Sequence, residues 1–231
     1  GIAITELTCE LAMQIGRAAA LELTKTTNHK PTIYIGKDTR ISSDILECAL
    51  VSGICSVGAD AVLLGVVPTP AVAYLIKKNK ADAGVMISAS HNSVEYNGIK
   101  LFAGTGYKLP DEVENEIERL ILDNPEEIKL VSNTEVGRVL HYENSQLDYI
   151  EYVCSTIKQD LTGINVALDC ANGSSSVTAE RLFTKLGATV HLIHNTPDGT
   201  NINNSCGSTH MESLIELSLI HISEPTRQEA I

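Results

Sequence analysis

The chain has 231 residues, is 43% hydrophobic with a mean hydropathy of +0.05, and carries a formal net charge of −12 with an isoelectric point near 5.0. That size suits one or two domains with proper cores, and the acidic balance argues against nucleic acid or an anionic membrane surface as partner. The longest apolar stretch, 61–76, is interrupted by Pro68 and Pro70, so no membrane span is expected.

Thr8 is a good N-cap for a helix over 8–24, with Leu11, Ile15, Ala18 and Ala19 forming an apolar stripe. Residues 31–38 are β-branched and aromatic, a strand running into Gly36-Lys-Asp-Thr-Arg40. Ser42 or Ser43 is the expected cap of a helix through Val57, with Ile45, Leu50 and Ile54 toward a sheet and Gly58 ending it. Residues 61–67 read as a fully buried parallel strand, and Pro68-Thr-Pro70 starts the next helix. Lys77, Lys78 and Lys80 then form a solvated face near that helix's end.

Val85, Met86 and Ile87 make a third apolar strand that breaks into Ser88-Ala-Ser-His-Asn-Ser93, and Asn97-Gly98 turns the chain into a fourth strand carrying Lys100. A polar loop at the end of such a strand sets hydroxyl, imidazole, amide and ammonium groups where α/β proteins do their chemistry. A helix over 110–122 follows. Residues 123–135 are polar, with an Asp-Asn-Pro turn, and have the composition of an interdomain linker. Beyond it come a short apolar segment (136–142), a helix (145–158), a strand (164–169) with the turn Cys170-Ala-Asn-Gly-Ser, a helix (177–186), a cap at Gly187 and a strand (188–193). The predicted class is α/β: two consecutive α/β domains with mixed, mostly parallel sheets flanked by helices, the second incomplete.

The six cysteines contain no C-x-x-C pair and read as reduced thiols of a cytoplasmic protein. Zinc is not expected, because His191 and His194, three apart in a strand pattern, would point to opposite faces. Residues 195–210, NTPDGTNINNSCGSTH, form a long polar loop of the kind that is often functional. No G-x-S-x-G elbow occurs, which argues against serine hydrolase chemistry.

The string ASHNSVEYNGIK (89–100) resembles the active-site serine loop of the α-D-phosphohexomutases, (S/T)-A-S-H-N-P-x-x-x-N-G-I-K, with Ser93 in place of the proline. Gly36–Arg40 resembles the family's G-x-D-x-R loop, and Asp169–Gly173 its D-C-A-N-G turn. The resemblance implies Ser90 as a covalently phosphorylated serine, with His91 and Lys100 beside it in catalysis. Arg40, Ser88, Asn92 and Asn97 would support the site, and Mg²⁺ would sit on Ser90 through a phosphate oxygen. Residues 198–210 resemble the family's hexosamine-phosphate branch and imply glucosamine 6-phosphate and glucosamine 1-phosphate as the substrate pair; phosphomannomutase and phosphoglucomutase relatives carry a different loop there. The resemblance also allows a homodimer of the full-length enzyme.

On the same basis the chain divides into a first domain over 1–135, a truncated second over 136–216, and a non-family tail over 217–231, read as artefactual. Gly1 matches the last glycine of an F-G-T-(D/S)-G-x-R-G segment whose arginine lies outside this sequence, so the chain reads as clipped at its start. The family's D-G-D-x-D-R magnesium loop does not occur in the sequence, and the fragment alone is expected to be inactive.

Overall fold

The computed structural model describes residues 1–219; residues 220–231, most of the predicted tail, lie outside the described residues. A five-stranded sheet organises the first part. Its strands are β1 (Thr32–Lys37), β2 (Asp60–Val66), β3 (Ala83–Ile87), β4 (Ile99–Ala103) and β5 (Val139–His141), in the order β4-β3-β1-β2-β5. All neighbours are parallel except β3 and β4.

Strands β1 to β4 supply residues to two cores, as a period of two requires, whereas β5 is exposed along its length. Ile33, Ile35, Ala61, Val85 and Ile87 face one side, where α1 (Cys9–Thr24) and α2 (Ile41–Ser56) cover them. Tyr34, Val62, Leu64 and Met86 face the other, under α3 (Thr69–Asn79). All five residues of β3 are buried, which accounts for its unbroken apolar sequence. Helix α4 (Asp111–Leu122) packs Ile117 and Leu120 against Ala18 and Ala19 of α1.

The polar segment 123–135 lies against the C-terminal end of α2: the Val131 amide donates to the Ser56 carbonyl at 3.0 Å and, just past the segment, the Gly137 amide to the Cys55 carbonyl at 2.9 Å. Strand β5 then pairs with β2, so this sheet takes its fifth strand from beyond the predicted linker. Helix α5 (Ser145–Thr156) follows and docks on α3. Tyr152 stacks on Tyr74 at 3.9 Å, and Lys78 Nζ reaches Asp148 at 2.6 Å, so Lys78 is a docking residue and not merely part of a solvated face. A second sheet pairs β6 (Asn165–Asp169) with β7 (Thr189–Ile193) in parallel, joined through α6 (Ala179–Lys185); α7 (Glu212–Ser218) ends the described chain. Among the described residues no helix is long and apolar enough to cross a membrane.

Three local expectations need correction. Helix α2 begins at Ile41 behind Arg40, without a side-chain cap, because Ser42 and Ser43 turn inward to Asn97 and Asp38. Ile45 is half exposed; the inward face carries Leu46, Leu50 and Ile54. The helix predicted at 177–186 is shorter, Ala179–Lys185, after a tight turn at Ser174–Val177.

Helices α1 and α2 approach closely through two glycines. A Cβ on Gly16 would meet the Leu50 carbonyl oxygen at 2.6 Å, and one on Gly53 the Met13 carbonyl oxygen at 2.2 Å. Neither backbone oxygen can yield as a flexible side chain would. Gly53→Val should therefore destabilise the fold by about 1–3 kcal/mol, the usual scale for overpacking. Thermal denaturation checks this; an unchanged midpoint would contradict the close crossing.

Candidate active site

In open α/β sheets, ligands sit beyond the carboxyl ends of strands where neighbouring connections diverge. β1 and β3 provide such a place. β1 leaves through α2 toward β2, whereas β3 arrives through α3 from the opposite face. The register pairs Lys37 with Ile87, so the loop after β1 (38–40) and the loop after β3 (88–98) emerge side by side. The Asp38 amide donates to the Ile87 carbonyl at 3.0 Å, closing that seam.

Arg40 joins the two loops. It is 1% exposed, and its Nε donates to Asp38 Oδ2 at 3.0 Å. Its Nη2 donates to the main-chain carbonyls of Ser90 at 3.1 Å and Asn92 at 2.8 Å, and its Nη1 to that of Ser93. Asp38 is 3% exposed and also accepts from the Arg40 amide and from Ser43 Oγ, at 3.1 and 3.0 Å. The buried charge is thus paired and its hydrogen bonds are filled, the condition on which such a pair is tolerated.

Ser90 stands on the outside of this arrangement. It is exposed, and its φ of +57° puts it in the left-handed region, where a non-glycine residue is uncommon and is held by its surroundings. The holding contacts are visible. Its amide donates to Ser88 Oγ at 3.1 Å, and its carbonyl is taken by Arg40. Ser88 is buried, and its amide donates to the Gly98 carbonyl at 2.9 Å, closing the base of the loop. Asn97, 1% exposed, donates from Nδ2 to Ser42 Oγ at 2.9 Å and Ser43 Oγ at 3.1 Å, while its Oδ1 accepts from the Gly98 amide at 2.8 Å.

The structure therefore gathers Ser88, Ser90, Asn92, Asn97 and Arg40 into one hydrogen-bonded unit. His91 is exposed on the loop, and Lys100 is exposed at the second position of β4, opposite Met86. Neither makes a hydrogen bond to the unit among the described residues. Lys37 does not act as a free cation here, because its ammonium contacts Glu47 at 2.6 Å and Asp44 at 2.8 Å. Burial alone would pull the Lys37 ammonium down, but those carboxylates more than offset it and the net shift is upward. Of Lys37, Arg40 and Lys100, only Lys100 lacks a carboxylate partner among the described residues.

Sequence reasoning missed three participants. Asp38 was visible as the acid of the G-x-D-x-R string, yet its burial beneath Arg40 was not. Thr39 Oγ1 donates to the Asn172 carbonyl at 2.5 Å, linking the loop after β1 to the turn after β6. Asn203, within the polar segment 195–210, donates from Nδ2 to the carbonyls of Ser90 at 3.0 Å and Asn92 at 2.9 Å. It grips the same two oxygens as Arg40, from the far side of the chain. The same segment docks a second time where the Ile41 amide donates to the Gly199 carbonyl at 2.8 Å.

The described residues alone do not cage Mg²⁺ at Ser90. That ion favours near-octahedral oxygen ligands, commonly carboxylates. The carboxylate of the loop after β1, Asp38, is occupied by Arg40 and Ser43. Among the described residues the one group of three potential ligands lies elsewhere, at Asp169, His194 and Cys206.

Arg40→Met should remove the partner of a buried carboxylate and cost about 3–5 kcal/mol; chemical denaturation measures it, and Asp38→Asn on that background should recover part of the loss. Asn203→Ala should speed amide hydrogen exchange over 88–98 and leave that of β1 unchanged; equal protection in both proteins would contradict a clamping role.

The sequence and the fold have counterparts in known proteins. Residues 1–127 match the family described as phosphoglucomutase/phosphomannomutase, alpha/beta/alpha domain I. A phosphoglucosamine mutase of Clostridium acetobutylicum is 58% identical over 216 residues, covering 94% of this chain and 48% of that protein. One of Acetivibrio thermocellus is 54% identical over 214 residues, 93% and 48% of the two chains. The chain thus spans about half the length of the curated relatives it matches. In fold it is similar to a phosphoglucomutase/phosphomannomutase family protein of Burkholderia thailandensis, with TM-score 0.80 and 23% identity over 94% of this chain and 47% of the other. It is likewise similar to parafusin of Paramecium, with TM-score 0.68 and 17% identity over 96% and 47%. With more than half its length matching the family's first domain, the chain belongs to the phosphoglucomutase/phosphomannomutase family.

Proposed function

We propose that this chain is the phosphoserine-bearing half of an enzyme that interconverts glucosamine 6-phosphate and glucosamine 1-phosphate. The observation that carries this reading is the Ser90 hydroxyl, exposed on a left-handed turn whose carbonyls are gripped by Arg40 and Asn203. The choice of an amino sugar rests on relatives 54–58% identical that are named phosphoglucosamine mutase.

In the proposed reaction Ser90 carries a phosphoryl group. The free hydroxyl of the sugar phosphate attacks phosphorus, the new O–P bond forms as the bond to Ser90 Oγ breaks, and the hydroxyl proton passes to a base. His91, exposed one residue on, is the proposed acceptor of that proton. The resulting bisphosphate turns over, and its other phosphoryl group returns to Ser90 by the reverse displacement. A seryl phosphate carries close to two negative charges near neutral pH, so attack on it needs positive charge nearby. From this chain that charge is Lys100; a Mg²⁺ ion at the site would take from it only a Ser90 phosphate oxygen. The six free cysteines support a reducing, cytoplasmic setting.

A chimera of residues 1–216 with the remaining half of the C. acetobutylicum relative tests the reading. It should interconvert the two glucosamine phosphates and gain one phosphoryl group by intact mass. Ser90→Ala should lose that mass and lower turnover by at least about a thousandfold. The 231-residue chain alone should show no measurable turnover. Labelling of Ser90 by a fluorophosphonate, with no phosphoryl group acquired, would favour hydrolase chemistry instead.

A further inference from the structure

The ends of β6 and β7 and the segment 195–210 meet at a second cluster of reactive side chains. Asp169 closes β6, His194 directly follows β7, and Cys206 lies in the polar segment. One ligand atom from each falls within 4.8 Å of the other two. The cluster is shielded: Cys206 is fully buried, the Asp169 side chain is 4% exposed and that of His194 is 29% exposed. His194 leaves the strand pattern through a φ of +49°, which removes it from the alternation that would set it opposite His191. Its Nδ1 is buried and lies 3.1 Å from Asp169 Oδ1, yet off the line of a hydrogen bond, so it has no aligned partner among the described residues.

Asp169 is oriented by the backbone. Its Oδ1 accepts from the Ala171 amide and its Oδ2 from the Gly207 amide, each at 2.8 Å. Each carboxylate oxygen retains a further lone pair. Such support of a ligating carboxylate is the usual outer layer of a metal site.

We propose that Asp169, His194 and Cys206 form a Zn²⁺ site distinct from the phosphoryl-transfer site at Ser90. Thiolate, imidazole and carboxylate together select zinc over magnesium or calcium. Zn–S near 2.3 Å and Zn–N and Zn–O near 2.0–2.2 Å put tetrahedral ligands about 3.3–3.8 Å apart. A spread of 4.8 Å reaches that by contraction of about 1 Å, within reach of side-chain rotation. On binding, the S–H bond of Cys206 breaks as the S–Zn bond forms, and the proton leaves to solvent. Imidazole stays neutral, so the two anionic ligands balance the ion's charge, and water takes the fourth position. The ion would staple β6, β7 and the segment that brings Asn203 to the serine loop.

The test is a metal titration of the 231-residue chain with Co²⁺ and Zn²⁺ alone. One equivalent of Co²⁺ should produce a thiolate-to-metal charge-transfer band that Zn²⁺ abolishes. Cys206→Ser should remove the band and weaken Zn²⁺ binding at least a hundredfold; Cys48→Ser, at an exposed thiol, should change neither. Because Cys206 is buried, His194→Gln at the partly exposed ring serves as the second variant. It should weaken Zn²⁺ at least tenfold and lose the rise in melting temperature that Zn²⁺ gives the unaltered chain, with circular dichroism unchanged. The proposal is overturned by no band at excess Co²⁺, by a band that persists in Cys206→Ser, or by unaltered Zn²⁺ affinity in folded His194→Gln.

Discussion

A single buried guanidinium decides the shape of the serine loop. Arg40 hydrogen-bonds three main-chain carbonyls of a segment some fifty residues further along the chain, and Asp38 balances its charge from two residues away. Its planar fork is suited to this, because it can donate in several fixed directions while remaining charged. Lysine, with one point of charge on a flexible stem, could not serve the same set of oxygens. Asn97 does the complementary work below, using a neutral amide to fix the loop's return to β4 against the first turn of α2. The loop's conformation is therefore imposed from outside, which is what a left-handed serine requires.

Electrostatics follow from the same contacts. The chain carries a net charge of −12, so an anionic ligand meets repulsion on average and depends on local compensation. Arg40 and Lys37 contribute little net attraction, since each is matched by carboxylates within hydrogen-bonding distance. Yet Arg40 binds carbonyl oxygens that would otherwise present partial negative charge beneath the serine. Arg40 thereby withdraws repulsion from the loop, and under the proposed function it is Lys100 that would supply attraction.

The parts legible in the sequence were those written in short-range patterns. β3 shows as consecutive apolar residues because both its faces are covered, and the cap of α1 shows as Thr8, whose side chain accepts from the Leu11 amide at 3.1 Å. What escaped depends on distant partners. Ser42 and Ser43 look like caps because their residue type is common there, and only the arrival of Asn97 and Asp38 turns them inward. Asn203 looks like any asparagine of a polar loop, since its partners lie more than a hundred residues back. His194 continues the strand pattern in the sequence because a period of two does not announce where the strand stops.

The pairing of β5 with β2 has a consequence for how the two halves can be separated. Residues 139–141 cover the main chain of Ala61–Leu63, and without them β2 would become a bare parallel edge rich in Val and Leu. Such an edge is a template for another chain to add itself. A polypeptide ended at the polar segment would keep every residue of the serine loop and still offer this edge for self-association.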